Sequence, residues 1–397
     1  MRLRPASLLF IGLVAGAVLL LAGRAMVTVR DAEVSDFRCF YEAARLVRIG
    51  VDPYDPGVWA GATKTDPARL PPCPDTFAYP LWTPMAMAPL SLLSEPAALG
   101  VWEVVLFGSL VGGTLMLARA WPMLGGTRLL LPTLLWSQPA FSAIANAQLG
   151  PVVFVGLAGI AFLLERGRER AAAAAWCLLL VKPNIVVIAL LGMPLFRSRR
   201  FAAYVVGFGT LILLLSLLLV PTWPVDVVRE ILGQQLLADL GLGTLSALAI
   251  TVGLPSAVGV AAAVATLVVF VAALPRRRLR PRELVAVLAA ASFLLTPYSR
   301  PHDEVALAVC WASALALANV ANRGLREAMV YAVIGVAFVL PWVLTLMSLL
   351  GSPLALHVLV TLATAALTAY ALRRLGPLPG PESAPVSLSS TTARTSR

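Results

Sequence analysis

Long apolar stretches alternate with short polar segments along most of this chain. A membrane-spanning helix needs about 20 apolar residues, and such stretches recur. The predicted spans lie at about residues 8–29, 97–118, 129–145, 149–165, 201–220, 254–274, 283–297, 304–321, 327–349 and 354–372. Residues 81–95 are apolar but interrupted by Pro84 and Pro89, which favours a re-entrant segment. The pattern predicts an all-α polytopic membrane protein with about 10–12 transmembrane helices.

The composition supports this class. Of the 397 residues, 59% are hydrophobic and 13% are charged, whereas soluble domains are about half apolar and a quarter charged. The net charge is +11, but the basic residues form short clusters between apolar stretches. Such clusters are typical of the positive-inside rule and argue against a nucleic-acid-binding surface.

Arginine clusters predict the orientation in the membrane. The clusters expected on the cytoplasmic side lie at residues 166–170, 197–200, 276–282, 323–326 and 373–374. This arrangement requires residues 171–196, two short apolar runs separated by Lys182-Pro183, to enter and leave the membrane on the same side as a hairpin. The outer side then receives residues 30–80, 221–250 and 296–303.

The expected domain organisation is one transmembrane domain, residues 1–375, with an extracytoplasmic loop at 30–80 that would carry the catalytic chemistry. Residues 376–397 are rich in Ser, Thr, Pro and Arg and predict a disordered cytoplasmic tail. Both termini are expected in the cytoplasm, and we expect the protein to lie in the cytoplasmic membrane of a bacterium.

Asp36 stands at the start of a predicted amphipathic helix in the first outer loop. Apolar residues recur at helical spacing from Phe37 to Val47, with Arg38 and other charged residues expected on the opposite face, and Gly50 ends the pattern. The helix would lie on the membrane surface or dock on the bundle. Asp36 can be its N-terminal cap or a general base, and spacing alone favours the cap.

The four cysteines fall into two classes. Cys177 and Cys310 lie in predicted spans, where a thiol is usually a small apolar filler. Cys39 and Cys73 share the predicted extracytoplasmic loop, where a disulfide is chemically allowed. From the sequence, they are either a disulfide or two unpaired thiols.

A set of short motifs resembles glycosyltransferase family 87, integral-membrane transferases of the GT-C type. The motifs are, in order, the string from Asp36 to Leu46, Gly50 to Pro56, Phe77-Ala78-Tyr79-Pro80, Asn146-Ala147-Gln148-Leu149-Gly150, Val181-Lys182-Pro183 between two Arg-rich loops, and Thr296 to Asp303. The family often has Gly-Gln-x-Asn at the fourth motif, where this chain has Ala147 and Gly150 in place of the Gly and the second Asn.

The resemblance implies a GT-C-like bundle and transfer of a sugar from a polyprenyl-phosphate donor. It implies that Asp36 is the catalytic base. Because a lipid phosphate is already a good leaving group, such an enzyme needs only to remove the acceptor proton and hold the phosphate. We expect no metal and no other cofactor, since the chain has two histidines and no Asp-x-Asp string.

Further site residues can be assigned as candidates. Arg300, His302 and Lys182 are the candidates for binding the donor phosphate, each with a structural alternative such as an anchor to anionic lipid. Sugar or acceptor contacts are expected from Tyr41, Tyr79, Asn146 and Gln148, with helix capping or interface anchoring as the alternative.

We therefore expect a membrane hexosyltransferase, with mannose as the expected sugar. It would act on a lipid or glycan acceptor on the extracytoplasmic side, with Asp36 as base. Its partners would be the polyprenyl-phosphate sugar, the acceptor and membrane lipids, and not nucleic acid. The alternative is a transporter or flippase of lipid-linked sugars, which would need a polar path through spans that contain few ionisable residues.

Overall fold

The computed structural model of the protein describes residues 36–63, 73, 77–121, 135–233, 242–319 and 321–374. Within these ranges the chain forms helices joined by turns and no strand. The protein is therefore all-α, as predicted. The expected first span at 8–29 and the expected tail at 376–397 lie outside the described residues, as does the first part of the expected span at 129–145.

The α-helices are numbered in chain order. Those of the first half are α1 (Phe37–Arg48), α2 (Pro56–Thr63), α3 (Trp82–Met87), α4 (Glu95–Ala120), α5 (Gln138–Ala145), α6 (Gly150–Leu164), α7 (Glu169–Cys177), α8 (Val187–Phe196) and α9 (Arg199–Leu219). Those of the second half are α10 (Trp223–Gly233), α11 (Leu245–Thr251), α12 (Ser256–Ala273), α13 (Pro281–Leu295), α14 (Ala308–Ala318), α15 (Arg323–Ile334), α16 (Leu340–Leu349) and α17 (Val358–Arg374). A π-helical segment, Gly335–Val339, joins α15 to α16, and 3₁₀ turns cover Ala88–Leu92, Leu178–Val181, Pro183–Ile185, Pro301–Leu307 and Leu354–His357.

Five described helices are long and apolar enough to cross a bilayer. They are Glu95–Ala120, Arg199–Leu219, Ser256–Ala273, Arg323–Leu349 and Leu354–Arg374. These five lie within the described residues, and the total of 10–12 spans expected from the sequence stays a prediction. Several expected spans are instead shorter helices, such as α6 with 15 residues and α14 with 11.

Residues 169–198 form a hairpin that includes the predicted one at 171–196, and its orientation in the membrane stays a prediction. Helix α7 and the turn Leu178–Val181 lead to Lys182, and the chain returns through α8. The two ends of the hairpin meet where the Ser198 hydroxyl donates to Glu169 Oε1 over 2.6 Å. The break at Lys182-Pro183 is therefore the apex of the hairpin, because proline lacks the N–H that a continuous helix requires.

Helix α1 docks on the bundle through most of its length. It ends at Arg48, and Gly50 has the left-handed φ of +73° that the predicted helix end favours. The Tyr41 hydroxyl donates to the carbonyl of Leu93 over 2.8 Å, and Arg48 Nε donates to Ser91 Oγ over 2.9 Å. Both contacts fix α1 against the segment that follows α3.

One prediction for α1 is wrong. Arg38 was expected on the polar face, but its side chain is 7% exposed and Nη2 donates to the carbonyl of Thr63 over 3.1 Å. The reason is tertiary: α2 packs over this face of α1 and offers the carbonyl at its C-terminus. A buried guanidinium is tolerated where such an acceptor is present.

Candidate functional site

Asp36 is the N-cap residue of α1, and only its backbone takes part in the cap. Its carbonyl accepts from the amides of Cys39 and Phe40 over 3.1 and 3.3 Å. The carboxylate makes no capping hydrogen bond. Instead, Asp36 Oδ2 accepts from Gln148 Nε2, 112 positions away in the chain. The start of α1 therefore directs this carboxylate toward Gln148.

A tight turn after α5 presents Gln148. The amide of Ala147 donates to the carbonyl of Ile144 over 3.0 Å, and the amide of Gln148 donates to the carbonyl of Ala143 over 2.8 Å. This pair of bonds is the Schellman motif, which requires a left-handed residue, and Ala147 has a φ of +52°. Trp102 Nε1 holds the turn from α4 by donating to the Ala147 carbonyl over 2.9 Å.

Gly150 allows the start of α6 to pack closely against the backbone of His302. A Cβ at Gly150 would lie 2.7 Å from the carbonyl oxygen of His302. No side chain fits at this distance, so α6 begins directly against the turn Pro301–Leu307 only because residue 150 is glycine. The close contact brings Gln148 and the residues after Arg300 to one place.

Lys182 and Asp303 are a buried ion pair at this place. Lys182 Nζ lies 2.7 Å from Asp303 Oδ1, and the two side chains are 1% and 0% exposed. Lys182 Nζ also donates to Gln148 Oε1 over 3.2 Å. A continuous polar chain therefore runs from Asp36 through Gln148 and Lys182 to Asp303, and we call these four residues the Asp36–Asp303 network.

Residues 298–303 form a second wall of the site. The amide of Arg300 donates to Asp303 Oδ2 over 3.1 Å, and Arg300 Nε donates to the Tyr298 hydroxyl over 3.1 Å. Asn184 Nδ2, two residues after Lys182, donates to the Tyr298 carbonyl over 2.8 Å. The hairpin apex thus holds this wall at two points, and the partly exposed Arg300 guanidinium is left at the surface of the site.

Neighbouring charges and burial set the protonation of Asp36. Displacement of water by the surrounding protein raises the pKa of its carboxyl above the ordinary 3.8. The positive charges of Lys182 and Arg300 and the hydrogen bond from Gln148 act in the opposite direction. Burial also lowers the pKa of His302 to about 3, so its imidazole is neutral at physiological pH and lies with Nε2 3.8 Å from Asp303 Oδ1.

The described part of the chain shows no group of three or more His, Cys, Asp or Glu side chains placed to hold a metal ion. The charged groups of the site are the carboxylates and cations already described.

Residues 77–297, more than half of the chain, match the family model of glycosyltransferase family 87. The protein belongs to glycosyltransferase family 87. It is a membrane glycosyltransferase. No curated protein and no solved structure matches the chain.

The match to family 87 includes Gln148 and Lys182 but ends before Arg300, and it begins after Asp36. The hydrogen bond of Gln148 with Asp36 joins the chain before the match to the matched region, and the contact of Lys182 with Asp303 joins the chain after it. The candidate site is therefore assembled from three parts of the chain, and only the middle part lies inside the match.

The two aromatic candidates differ in their contacts: Tyr41 belongs to α1, and Tyr79 packs against that helix. The Tyr79 ring packs edge-on against Phe40 at a centroid distance of 4.9 Å, and its carbonyl accepts from the Tyr54 hydroxyl over 2.6 Å. The charges of Lys182 and Asp36 act on the Tyr79 hydroxyl, whose pKa is raised chiefly by burial. Tyr79 thus borders the network, whereas the hydroxyl of Tyr41 is bonded to Leu93.

Two further expectations concern the side chain of Asn146 and the pairing of Cys39 with Cys73. Asn146 Nδ2 donates to the carbonyl of Ser142 over 2.8 Å, so this side chain completes the end of α5. Cys39 and Cys73 form a disulfide with a Cα–Cα distance of 5.5 Å. The disulfide attaches the chain before Phe77 to the helix that carries Asp36.

Sequence reasoning missed Asp303, Asn184 and Glu304. Asp303 ends the motif Thr296 to Asp303, and a buried lysine at Lys182 requires a counter-charge, so this pair could have been predicted from the sequence. Glu304 is buried and contacts His357 Nδ1 through Oε1 over 3.3 Å. Nothing in the local sequence of Glu304 or His357 indicates this pairing, because 53 positions separate them.

Proposed function

We propose that this protein transfers a hexose, with mannose as the expected sugar, from a polyprenyl-phosphate carrier to a lipid or glycan acceptor. The reaction takes place at the extracytoplasmic face of a bacterial cytoplasmic membrane. The observation that carries the proposal is the Asp36 carboxylate, which accepts a hydrogen bond from Gln148 and lies near the cations Lys182 and Arg300.

Asp36 is the base in this proposal. Its carboxylate removes the proton of the acceptor hydroxyl while the acceptor oxygen forms a bond to C1 of the donor sugar. The bond from C1 to the phosphate oxygen breaks, and its electron pair leaves with the polyprenyl phosphate. The pKa raised by burial makes the ionised Asp36 a stronger base than a solvated aspartate. A single displacement of this kind inverts the configuration at C1.

Arg300 is the residue that we propose to hold the departing phosphate. Its guanidinium is partly exposed, and it presents several donors in one plane. Lys182 is buried and already paired with Asp303, so a phosphate would have to displace a carboxylate to reach it. We therefore propose that Lys182 positions Gln148, in place of the direct phosphate contact expected from the sequence. His302, being neutral, would contribute a hydrogen bond rather than a charge.

Tyr79 and Gln148 are the proposed sugar-side contacts, since both border the carboxylate. We also propose Tyr41 and Asn146 as contacts to the sugar or the acceptor. Their polar atoms are bonded to Leu93 and Ser142, so sugar binding would need those bonds to be shared.

The direct experiment is a transfer assay on the purified full chain with a panel of polyprenyl-phosphate hexoses and lipid acceptors. We expect one donor to be consumed with formation of a glycosylated acceptor of inverted anomeric configuration. Movement of the lipid-linked sugar across proteoliposome membranes without its consumption would contradict the proposal and support a flippase.

A further inference from the structure

A groove lies between α7 and α9 at the end of the hairpin opposite Lys182. It has a volume of about 690 Å³, within the roughly 300–1,000 Å³ of ligand pockets. Its lining residues are Gly167, Arg168, Glu169, Arg170, Ala171, Ala174, Arg200, Tyr204 and Phe208. Three arginines from two helices and the loop before them therefore meet at one groove, far from the Asp36–Asp303 network.

The arginines of the groove are available to a ligand. Arg168, Arg170 and Arg200 are exposed, and their side chains make no ion pair with another described residue. Arg166 in the same loop behaves differently, because its guanidinium lies 3.8 Å from the Phe162 ring and donates to the Phe162 carbonyl. The one acid in the lining, Glu169, accepts a hydrogen bond from Ser198. The groove thus carries an excess of positive charge and attracts an anion.

The groove becomes apolar along α9: its upper half is at the arginines, and its lower half is at Tyr204, Phe208 and Ala174. Arg200, Tyr204 and Phe208 are spaced by four residues, so they share one face of α9, and the distance from Arg200 to Phe208 along the axis is about 12 Å. The small Ala171 and Ala174 on α7 face them across the groove. Helix α9 is one of the candidate spans, and only 11% of its apolar window is buried by protein. The lower half of the groove is therefore open to lipid chains.

We propose that this groove binds one anionic phospholipid of the cytoplasmic leaflet. Arg168, Arg170 and Arg200 contact the phosphate headgroup, Tyr204 lies at the interface, and an acyl chain follows Phe208 and Ala174. Charge complementarity with an anionic headgroup and the apolar lower half together select this occupant, since a soluble anion would use only the upper half. The site is separate from the proposed transfer reaction.

The test uses the purified full chain in detergent, with dioleoylphosphatidylglycerol compared with dioleoylphosphatidylcholine. Bound lipid is counted by native mass spectrometry, and the melting temperature is followed as lipid is added. We expect one tightly bound phosphatidylglycerol, with weaker binding of the zwitterionic lipid. Arg200→Gln should weaken binding about fivefold, since one basic residue near the headgroup is removed.

Two matched variants complete the test. Arg326→Gln removes an exposed arginine from the first turn of α15, outside the groove, and should leave binding unchanged. Ala174→Leu fills the lower groove without changing charge at an exposed helical position, so it should weaken lipid binding while the protein still folds. Equal binding of both lipids, equal effects of Arg200→Gln and Arg326→Gln, or full displacement of the lipid by inorganic phosphate at equal concentration would each overturn the proposal.

Discussion

Lys182 Nζ lies 2.7 Å from Asp303 Oδ1, although 121 positions separate the two residues in the chain. The pair joins the hairpin apex to the turn after Arg300, and both side chains are buried. A buried pair costs free energy to desolvate, and removing one member leaves the other charge uncompensated. The pair therefore fixes the geometry of the site more than it stabilises the fold.

The first prediction concerns this pair. Lys182→Met and Asp303→Leu should each lower the free energy of unfolding by about 3–5 kcal/mol, because each leaves a buried unpaired charge. The double variant should recover much of that stability but not the transfer activity, since Gln148 loses its partner. Thermal unfolding and transfer rates of all three variants measure this. Full activity in the double variant would show that the pair has no part in placing Gln148.

The second prediction concerns the turn that carries Gln148. Ala147→Gly should stabilise the protein by about 1 kcal/mol and keep activity, because glycine adopts the left-handed φ of residue 147 without steric cost. Gly150→Ala should reduce activity, since its Cβ would press on the His302 carbonyl. Melting temperatures and transfer rates of the two variants would be compared. A Gly150→Ala protein as active and stable as the wild type would contradict the close packing.

The third prediction concerns the disulfide. A bond between Cys39 and Cys73 should stabilise the protein by about 3–4 kcal/mol in the chain-entropy model for a loop of this length. Replacement of both cysteines by serine should lower the melting temperature and the activity together. Reducing agent should affect the native protein and have no effect on the double variant. Free thiols at both positions in protein purified without reductant would contradict the prediction.

The fourth prediction is the pH dependence of transfer. Asp36 acts as a base only when ionised, so activity should be present above its pKa and be lost as pH falls through it. Because burial raises that pKa, the acidic limb of the rate profile should lie above pH 3.8. Arg300→Gln removes a charge that lowers the pKa, so its limb should move to higher pH.

Arg229→Gln is the control for this shift. It removes a highly exposed arginine of α10, whose side chain is 72% exposed, and should leave the acidic limb in place. The same limb in all three proteins would argue that the titrating group is not Asp36.

Several features could be read from the sequence. The apolar stretches, the hairpin around Lys182-Pro183 and the end of α1 at Gly50 depend on local pattern, and the structure has them. The motif order indicated family 87. The count of 10–12 spans stays a prediction, because shorter described helices such as α6 are apolar too.

Other features depend on tertiary contacts that no local pattern encodes. Asp36 looked most like a helix cap, yet its carboxylate is bonded to Gln148 because α5 and α6 meet beside the start of α1. Arg38 was placed on the wrong face because α2 covers it. The pairing of Glu304 with His357 was likewise beyond sequence reasoning.

The most direct test of the central proposal is the turnover of Asp36→Asn with the preferred donor and acceptor. Asparagine keeps the shape and the hydrogen bond to Gln148 but cannot take the acceptor proton. General-base catalysis contributes about 10²–10⁴-fold to a rate, so transfer should fall at least a hundredfold while the melting temperature stays near that of the wild type. An Asp36→Asn protein that folds normally and turns over within a few-fold of the wild type would contradict the assignment of Asp36 as the base.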